Sequence, residues 1–264
     1  MNTCSNRHST LTHMCASLTA YLQDLHESGI DGFPTELMAL TETEKALLQT
    51  VPLAQIGENE VIHSNDLPEK HETLEQIRKN LGDCHRCKLG DTRKNLVFGV
   101  GNPKARLVFV GEGPGADEDT QGEPFVGDAG KILNRIITAM ELKREEVYIC
   151  NVVKCRPPRN RPPESDEISA CSPFLLRQLR SVKPEAIVAL GTSAAQALLQ
   201  TKTPISKLRS KFHDFNGIPL MPTYHPSYLL RSGGNSDSFW CVWDDMTQVL
   251  QLLKLPIPHK SRKK

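Results

Sequence analysis

The sequence predicts an α/β domain built on a parallel β-sheet with helices on both faces. Short apolar runs typical of buried strands alternate with amphipathic helical patterns along residues 106–253. Hydrophobic residues make up 38% of the chain and charged residues 24%, as in an ordinary globular protein. Polar or glycine-rich loops follow the predicted strands, at the ends where parallel sheets bind their ligands.

Residue periodicity places the individual elements. Strands are predicted where five to seven residues are mainly apolar, at Arg106–Gly111, Val147–Val153, Ala186–Leu190 and Ile218–Pro222. Helices are predicted where apolar residues recur at three- and four-residue intervals, from about Pro68 to Leu81 and at Asp128–Met140, Asp166–Ser181, Ser193–Gln200 and Asp237–Leu253.

Charge sets the N-terminal part of the chain apart. Residues 1–80 hold 12 acidic and 5 basic residues, a net charge of −7, whereas the rest of the chain carries a net +8. We predict an N-terminal helical segment of unknown role at 1–50, a linker at 51–68, the α/β domain at 69–254 and a basic tail at 255–264. The basic domain suits a polyanionic partner, and residues 1–80 are a candidate surface for a second protein.

Neither a membrane segment nor a secretory signal is predicted. No stretch approaches the roughly 18 consecutive apolar residues of a membrane helix. The N-terminus lacks a basic region followed by an apolar run. We therefore expect a cytoplasmic protein, whose eight cysteines are not expected to form disulfides.

Four of the cysteines have the grouping of a metal site. Cys84 and Cys87 form a C-x2-C pair before the first strand, Cys155 follows the second strand, and Cys171 lies on the next helix. Four thiolates bind either a [4Fe–4S] cluster or Zn²⁺. Cys155 and Cys171 do not form a second C-x2-C pair as in a zinc ribbon, and this favours the cluster over Zn²⁺. Buried structural cysteine is the alternative, and we assign it to Cys150, inside a strand.

Two loops at strand ends carry further candidate residues. The first strand runs into GEGPG at residues 111–115, a tight turn whose backbone N–H groups could cradle a phosphate. Glu112, inside this turn, argues against a phosphate because like charges repel. Later in the chain, His225 opens the sequence His-Pro-Ser and is the one histidine of nine that lies in a motif.

These features occur together in one known family. The stretches CHRCKLGDTRKNLVFGVGNPKARLVFVGEGPGADED, GEPFVGDAGKILNRI, NVVKCRPPRNRPP, LGTSAA and HPSYLLR, with the segment around Cys171, follow each other in the family's order. From about Leu81 to Leu253 the chain resembles family 4 uracil-DNA glycosylases, the iron–sulfur branch of the uracil-DNA glycosylase superfamily. The resemblance implies a four-stranded parallel sheet flanked by helices and a [4Fe–4S] cluster on the four grouped cysteines. It also implies hydrolytic removal of uracil from DNA, the first step of base excision repair.

The resemblance further implies a pocket for the uracil base. Asn151 matches the residue that reads uracil, since one amide can bond both the O4 acceptor and the N3–H donor. Phe125 matches the aromatic side chain on which the flipped base stacks. Gly113 and Glu118 match other pocket positions, and Glu118 could help to exclude the methyl group of thymine.

Glu112 and His225 match the catalytic positions of the family. In this reaction the sugar gains oxocarbenium character and the departing base takes up negative charge. A carboxylate at Glu112 can position water and offset the charge on the sugar, and His225 can donate a hydrogen bond to uracil O2. Apart from the resemblance, an Asn, a Phe and a His in such loops are equally typical of a turn, a core contact and a turn cap.

The target nucleotide must leave the duplex before it is cut, and the residues after His225 are candidates for holding the duplex open. Leu229 or Leu230 fits an apolar wedge in the gap, with Tyr228 and Arg231 as neighbouring DNA contacts. Phosphate contacts are predicted beside the third cysteine of the group, at Lys154, Arg156, Arg159 and Arg161.

One branch of the superfamily attaches covalently to DNA through a histidine in an inserted basic loop. The corresponding region here, residues 208–214, is short, and the turn after the first strand lacks the glutamine of that branch. We therefore expect turnover rather than covalent capture, with His213 as the residue to check.

Three other functions are left open by the cysteines and the basic domain. They are a non-catalytic iron–sulfur DNA-binding protein, an electron carrier and a zinc-bound structural module. The joint presence of Glu112, Phe125, Asn151 and His225 argues against the first. A single cluster in a basic domain with an intact pocket does not favour the second, and metal analysis with visible absorbance would decide the third. We expect a monomer that acts on uracil-containing single- or double-stranded DNA.

Overall fold

The computed structural model describes residues 72–231 and 236–259. All of them lie in residues 68–264, the second of the two units into which the chain divides. The predictions for residues 1–50, for the 51–68 linker and for the end of the 255–264 tail lie outside the described residues.

The described residues form a mixed α/β fold. Its strands are β1 (Val100–Gly101), β2 (Leu107–Gly111), β3 (Tyr148–Asn151), β4 (Ala186–Leu190), β5 (His213–Phe215) and β6 (Ile218–Thr223). Its helices are α1 (Leu74–Leu81), α2 (Ala116–Gln121), α3 (Asp128–Ala139), α4 (Ser165–Val182), α5 (Thr192–Leu199), α6 (Ile205–Leu208), α7 (Pro226–Arg231) and α8 (Ser236–Leu252).

The sheet has six strands, in the order β1-β3-β2-β4-β6-β5. Neighbours among the four inner strands pair in parallel. The outer strands β1 and β5 pair antiparallel to their neighbours, so the sheet is mixed. The four predicted strands are the parallel inner ones, but the prediction of a four-stranded parallel sheet was wrong in strand number and missed the two antiparallel edge strands. The two missed strands are only two and three residues long, too short for a periodic pattern.

Helices cover both faces of the sheet, as predicted. Strands β2 and β4 are buried along their whole length, which explains their continuous apolar sequence. Side chains of α4, α5 and α6 pack on one face, and those of α3, α7 and α8 pack on the other. No helix among the described residues is both long and apolar enough to cross a membrane.

Helix α1 forms a small separate cluster against α4. Ile77 and Leu81 on its apolar face pack with Phe174. Thr73 begins the helix with a capping box, in which its hydroxyl accepts from the Gln76 N–H and the Gln76 side chain accepts from the Thr73 N–H. This packing places the Cys84–Cys87 loop, which follows α1, beside the main domain.

Candidate active site

The candidate site lies at the carboxyl ends of the parallel strands. Gly111 and Asn151 face each other at the ends of β2 and β3. Leu190 and Thr223 are paired at the ends of β4 and β6. Asn151 is the last residue of β3, and the loops after β2 and β6 carry Glu112 and His225, so parallel pairing brings together residues far apart in the sequence.

Asn151 is a buried amide with an open hydrogen-bonding position. Its side chain is 1% exposed, and Oδ1 has no hydrogen-bond partner among the described residues. A Cβ atom on Gly111 would come within 2.4 Å of this oxygen and 2.6 Å of Phe125 Cζ. The missing side chain of Gly111 thus makes room for both groups, and the amide and the ring meet over it.

Phe125 lies in a loop that several contacts hold in place. Its φ of +54° is unusual for a residue with a side chain and carries strain. The Glu118 carboxylate accepts hydrogen bonds of 3.0 Å from the N–H groups of Val126 and Gly127 and from that of Gly115. Arg144 donates to the Pro124 carbonyl. These bonds hold the Phe125 loop against the GEGPG turn, a structural role for Glu118 that the sequence analysis missed.

His225 lies beside Phe125, at the start of α7. The two ring centroids are 5.8 Å apart, with the planes tilted by 34°. Gly191 follows β4 directly at a φ of +89°, and a Cβ atom there would meet His225 Cβ at 2.8 Å. A glycine at this position therefore both permits the left-handed backbone and allows the close approach of the histidine.

The imidazole of His225 is held neutral in one tautomer. The Ser227 N–H donates to Nδ1 over 3.1 Å, and the Ser227 hydroxyl lies 2.8 Å from the same atom. Burial lowers the pKa of His225 to about 4, and the charge of Arg231 adds to this, while Glu118 opposes it. A neutral ring whose Nδ1 accepts carries its proton on Nε2, which is then a hydrogen-bond donor.

Glu112 follows β2 directly and is partly exposed. Its backbone carbonyl accepts from the Val153 N–H over 3.1 Å, which continues the pairing of the two strands into the loops. Its carboxylate makes no hydrogen bond or ion pair with any other described residue. Val153 also packs against Gly113, where a Cβ atom would meet Val153 Cγ2 at 2.7 Å. Glu112 is therefore a carboxylate free to bind water next to the pocket.

Helix α7 separates the two candidate wedge residues. Leu229 is buried, 8% exposed, and packs in the core under α7, whereas Leu230 is 43% exposed. Tyr228 is also exposed and stacks at 4.9 Å on Tyr224. Arg231 is exposed and donates to the Ser227 hydroxyl over 3.2 Å. Of the two leucines, Leu230 is the one at the surface.

The predicted phosphate contacts differ in their surroundings. Arg159 is exposed, with a φ of +55°, and Arg156 donates from Nε to Asn160 Oδ1 over 2.8 Å. Arg161 is instead paired with the buried Glu167 carboxylate. Lys154 is only 1% exposed, so the prediction that it contacts a DNA phosphate was wrong. Basic sequence composition did not distinguish a buried lysine from surface arginines.

The four grouped cysteines line one cavity between the loop after α1, the loop after β3 and helix α4. Leu81, Arg86, Leu96, Lys154 and Ala170 complete its walls, around Cys84, Cys87, Cys155 and Cys171. In the described part of the chain, no three His, Cys, Asp or Glu side chains stand ready to hold a metal ion. Cys150, by contrast, is fully buried in β3, as expected of a core residue.

Nitrogen donors surround the sulfur atoms of this cavity. They are Arg86 Nη1 on Cys84 at 3.3 Å, Arg93 Nη1 on Cys155 at 3.5 Å and the Lys154 N–H on Cys171 at 3.3 Å. Burial raises the pKa of the Cys155 thiol to about 12 and also raises that of Cys171. N–H donors favour sulfur in the thiolate form, which is the form that ligates metal.

His213 lies on the edge strand β5, paired with Leu220 of β6. Its Nε2 is 2.8 Å from the Leu208 carbonyl, to which it donates. The histidine is thus engaged in holding the edge of the sheet.

Among the residues that the sequence analysis did not single out, Ser227 matters most to the site. It follows His225 by two residues, and both its backbone and its hydroxyl contact the ring. The sequence His-Pro-Ser was the available signal, because a short polar residue two positions after a loop residue is typical of a local side-chain turn.

Fold and site together define the class of protein. Residues 98–247 match the family model of the uracil DNA glycosylase superfamily, and the chain belongs to that superfamily. Within it, the chain is similar to the Type-4 uracil-DNA glycosylase of Thermotoga maritima, at 46% identity over 168 residues that cover 63% of this chain and 88% of the relative. The Type-4 enzyme of Archaeoglobus fulgidus is 44% identical over 167 residues, covering 60% and 84%. A Type-5 uracil-DNA glycosylase of Pyrobaculum aerophilum is 32% identical over 146 residues, covering 49% and 64%.

Proposed function

We propose that the protein is a uracil-DNA glycosylase, which hydrolyses the bond between uracil and deoxyribose in DNA and so begins base excision repair. The observation that carries the proposal is the buried Oδ1 of Asn151, which has no partner among the described residues and lies beside Phe125. An unsatisfied buried acceptor costs about 1–3 kcal/mol, and a ligand that donates to it recovers that cost. The Type-4 relatives support the same function by their names.

Uracil matches this acceptor. Its N3–H donates to Oδ1 of Asn151, while the amide nitrogen of the same side chain donates to O4. Cytosine presents an acceptor at N3 and a donor at position 4, so it leaves both hydrogen bonds unmade. The ring of Phe125 supplies a surface on which the flipped base stacks. Glu118 shapes the pocket through the loop contacts that position Phe125, and Gly113 allows the close approach of Val153 beside it.

His225 stabilises the departing base. The bond between C1′ and N1 breaks with both electrons moving to uracil, and negative charge collects at O2. The Nε2–H of the neutral imidazole donates to O2 and keeps its proton, so it acts as a preorganised dipole rather than as an acid. Phe125 lies next to this ring, which supports a position of the stacked base within reach of the histidine.

Glu112 acts on the sugar side of the bond. Its unpaired carboxylate orients a water molecule toward C1′ and offsets the positive charge of the oxocarbenium ion. Water adds its oxygen to C1′ and loses one proton to the solvent, while the uracil anion takes up one proton from the solvent, which leaves an abasic site and free uracil as products.

We further propose that Cys84, Cys87, Cys155 and Cys171 hold a [4Fe–4S] cluster. The support is the donor set: four thiols line one cavity, and three of them accept N–H hydrogen bonds. Each of the four cysteines would supply one thiolate ligand to the cluster. When bound, it would cross-link the loop after α1 to the loop after β3 and to α4.

The DNA-binding surface is proposed on helix α7 and on the loop after β3. Tyr228, Leu230 and Arg231 lie exposed on α7 next to His225, and Leu230 fits the apolar wedge. Arg156 and Arg159 follow the cysteine loop and are proposed phosphate contacts. A monomeric state and a repair partner for residues 1–80 stay predictions.

A cleavage assay tests the function. Purified, iron-loaded protein is mixed with a labelled oligonucleotide that bears one uracil, and the products are treated with alkali. We expect repeated turnover at uracil and none at matched thymine or cytosine. Asn151→Ala should abolish the activity, while the same substitution at Asn80, exposed on α1, should leave it intact.

Two outcomes would point elsewhere. Folded, iron-loaded protein that gives no abasic product would contradict the proposal and favour a non-catalytic iron–sulfur DNA-binding protein. A protein–DNA band that resists denaturation would indicate covalent capture and direct attention to His213.

A further inference from the structure

Lys154 connects the cysteine cavity to the uracil pocket. It lies three residues after Asn151 and next to Cys155 in the chain, and its side chain is 1% exposed. It lines the same cavity as the four cysteines. Its Nζ donates to the main-chain carbonyl of Asn151 over 2.6 Å. One buried residue therefore lines the cysteine cavity and bonds to the main chain of Asn151.

The charge of Lys154 has no acidic partner in the described part of the chain. No Asp or Glu oxygen of those residues lies within 4.0 Å of its Nζ, and the Asn151 carbonyl is its one hydrogen-bond acceptor there. Burying an ammonium costs several kcal/mol unless an anion compensates it. Lysine is rarely this deeply buried without such a partner.

The backbone of Lys154 is held as firmly as its side chain. Its N–H donates to Cys171 Sγ over 3.3 Å, and its carbonyl accepts from the Val97 N–H over 2.8 Å. These two bonds fix the point from which the side chain extends, and the bond from Nζ to the Asn151 carbonyl holds its far end. The cavity beside it is lined by thiols, which as metal-bound thiolates would supply the compensating negative charge.

We infer that Lys154 is a positioning residue that couples the cysteine cavity to the uracil pocket. Its ammonium neutralises the net negative charge of the thiolate-bound cluster and, through the Asn151 carbonyl, holds the residue that reads uracil. This inference rests on the proposed function and on the cluster proposed there. It predicts that loss of the charge weakens both iron retention and uracil recognition, although Lys154 touches neither the iron nor the base.

The substitution Lys154→Met tests the coupling, since methionine keeps much of the length and removes the charge and the donor. The first readout is iron per chain and the rate of iron release to a chelator. The second is affinity for a duplex with one non-hydrolysable 2′-fluoro-deoxyuridine, compared with the same duplex carrying thymidine. We expect faster iron release and a 10- to 100-fold loss of preference for the uracil duplex, the range seen when outer contacts of a metal site are removed. Affinity for the thymidine duplex should not change.

Lys104→Met is the matched control, because Lys104 is exposed in the turn between β1 and β2. It should change neither readout. Full iron retention and an unchanged preference for uracil in folded Lys154→Met would overturn the inference.

If Lys154→Met does not fold, iron is removed from the wild-type protein by chelation and then restored. Loss and recovery of the uracil preference would support the coupling, and a preference that survives iron removal in folded protein would overturn it. A wild-type protein that neither holds iron nor prefers uracil would count against the proposed function itself, which separates the two failures.

Discussion

The backbone N–H of Ser227 donates to Nδ1 of His225 over 3.1 Å and thereby fixes the tautomer of the ring. A backbone N–H can only donate, so Nδ1 must accept and Nε2 must carry the proton. Burial lowers the pKa of His225 to about 4, so the ring is neutral at physiological pH. A loop of three residues thus prepares a neutral hydrogen-bond donor.

The pH dependence of the reaction should reflect this neutral histidine. Single-turnover rates are expected to show no titration of His225 near pH 6.5 and to fall only as the pH approaches about 4. Below that value Nδ1 would carry a proton and could no longer accept from the Ser227 N–H, so the contact that holds the ring would be lost. NMR titration of the ring gives the pKa directly. A rate profile with a midpoint near 6.5 that disappears in His225→Gln would contradict the assignment.

The same pKa makes stability depend on pH. The folded pKa lies below that of an unfolded histidine, so between about pH 6.5 and 4 the unfolded chain binds more protons. The contribution of His225 to the free energy of unfolding is therefore complete above pH 6.5 and is lost as the pH falls toward 4. This loss amounts to roughly 3 kcal/mol at most. Denaturant unfolding of the wild type and His225→Gln across this range measures it. Parallel curves for the two proteins would show that His225 does not contribute.

Glu118→Gln should loosen the Phe125 loop. The carboxylate accepts three backbone N–H groups, and an amide oxygen can replace only part of this pattern. We expect the free energy of unfolding to fall by about 1–3 kcal/mol and kcat/KM on uracil DNA to fall by about tenfold or more. Glu123→Gln removes the same charge from the same loop and should do neither. Wild-type kinetics in Glu118→Gln would show that these bonds do not position the ring.

Gly111→Ala should close the uracil pocket. The added methyl group would meet Asn151 Oδ1 at 2.4 Å and Phe125 Cζ at 2.6 Å, so one of the two side chains must move. A displacement of about 1 Å can cost about 100-fold in rate, and we expect at least that loss in cleavage assays. Gly217→Ala is the control, since that methyl group meets nothing within 4 Å and its φ of +82° costs only about 1–2 kcal/mol. Retention of full activity in Gly111→Ala would refute the pocket geometry.

The two leucines of α7 should respond differently to truncation. Leu230→Ala removes an exposed side chain, so we expect cleavage of double-stranded uracil DNA to fall by about tenfold while single-stranded cleavage is kept, because the wedge offsets unstacking worth a few kcal/mol. Leu229→Ala opens a cavity in the core and should lower the free energy of unfolding by about 2–5 kcal/mol. Equal losses on both DNA forms in Leu230→Ala would rule out the wedge.

Local patterns in the sequence determined much of this protein. The apolar runs of the inner strands and the periodic helices predicted the α/β fold, because burial on one or two faces leaves a repeating signal over five or more residues. The motifs around Glu112, Asn151 and His225 led to the superfamily to which the chain belongs. The edge strands β1 and β5 escaped prediction because they are short and owe their form to their neighbours.

Tertiary structure alone decided which side chains are buried and which are paired. Lys154 and Arg159 belong to one basic stretch, yet the first is enclosed beside the cysteines and the second lies at the surface. Leu229 and Leu230 are adjacent and chemically identical, but the first is buried and the second is exposed on α7. Burial and hydrogen-bond partners depend on residues distant in the chain, and these come together only when the strands pair and the helices pack.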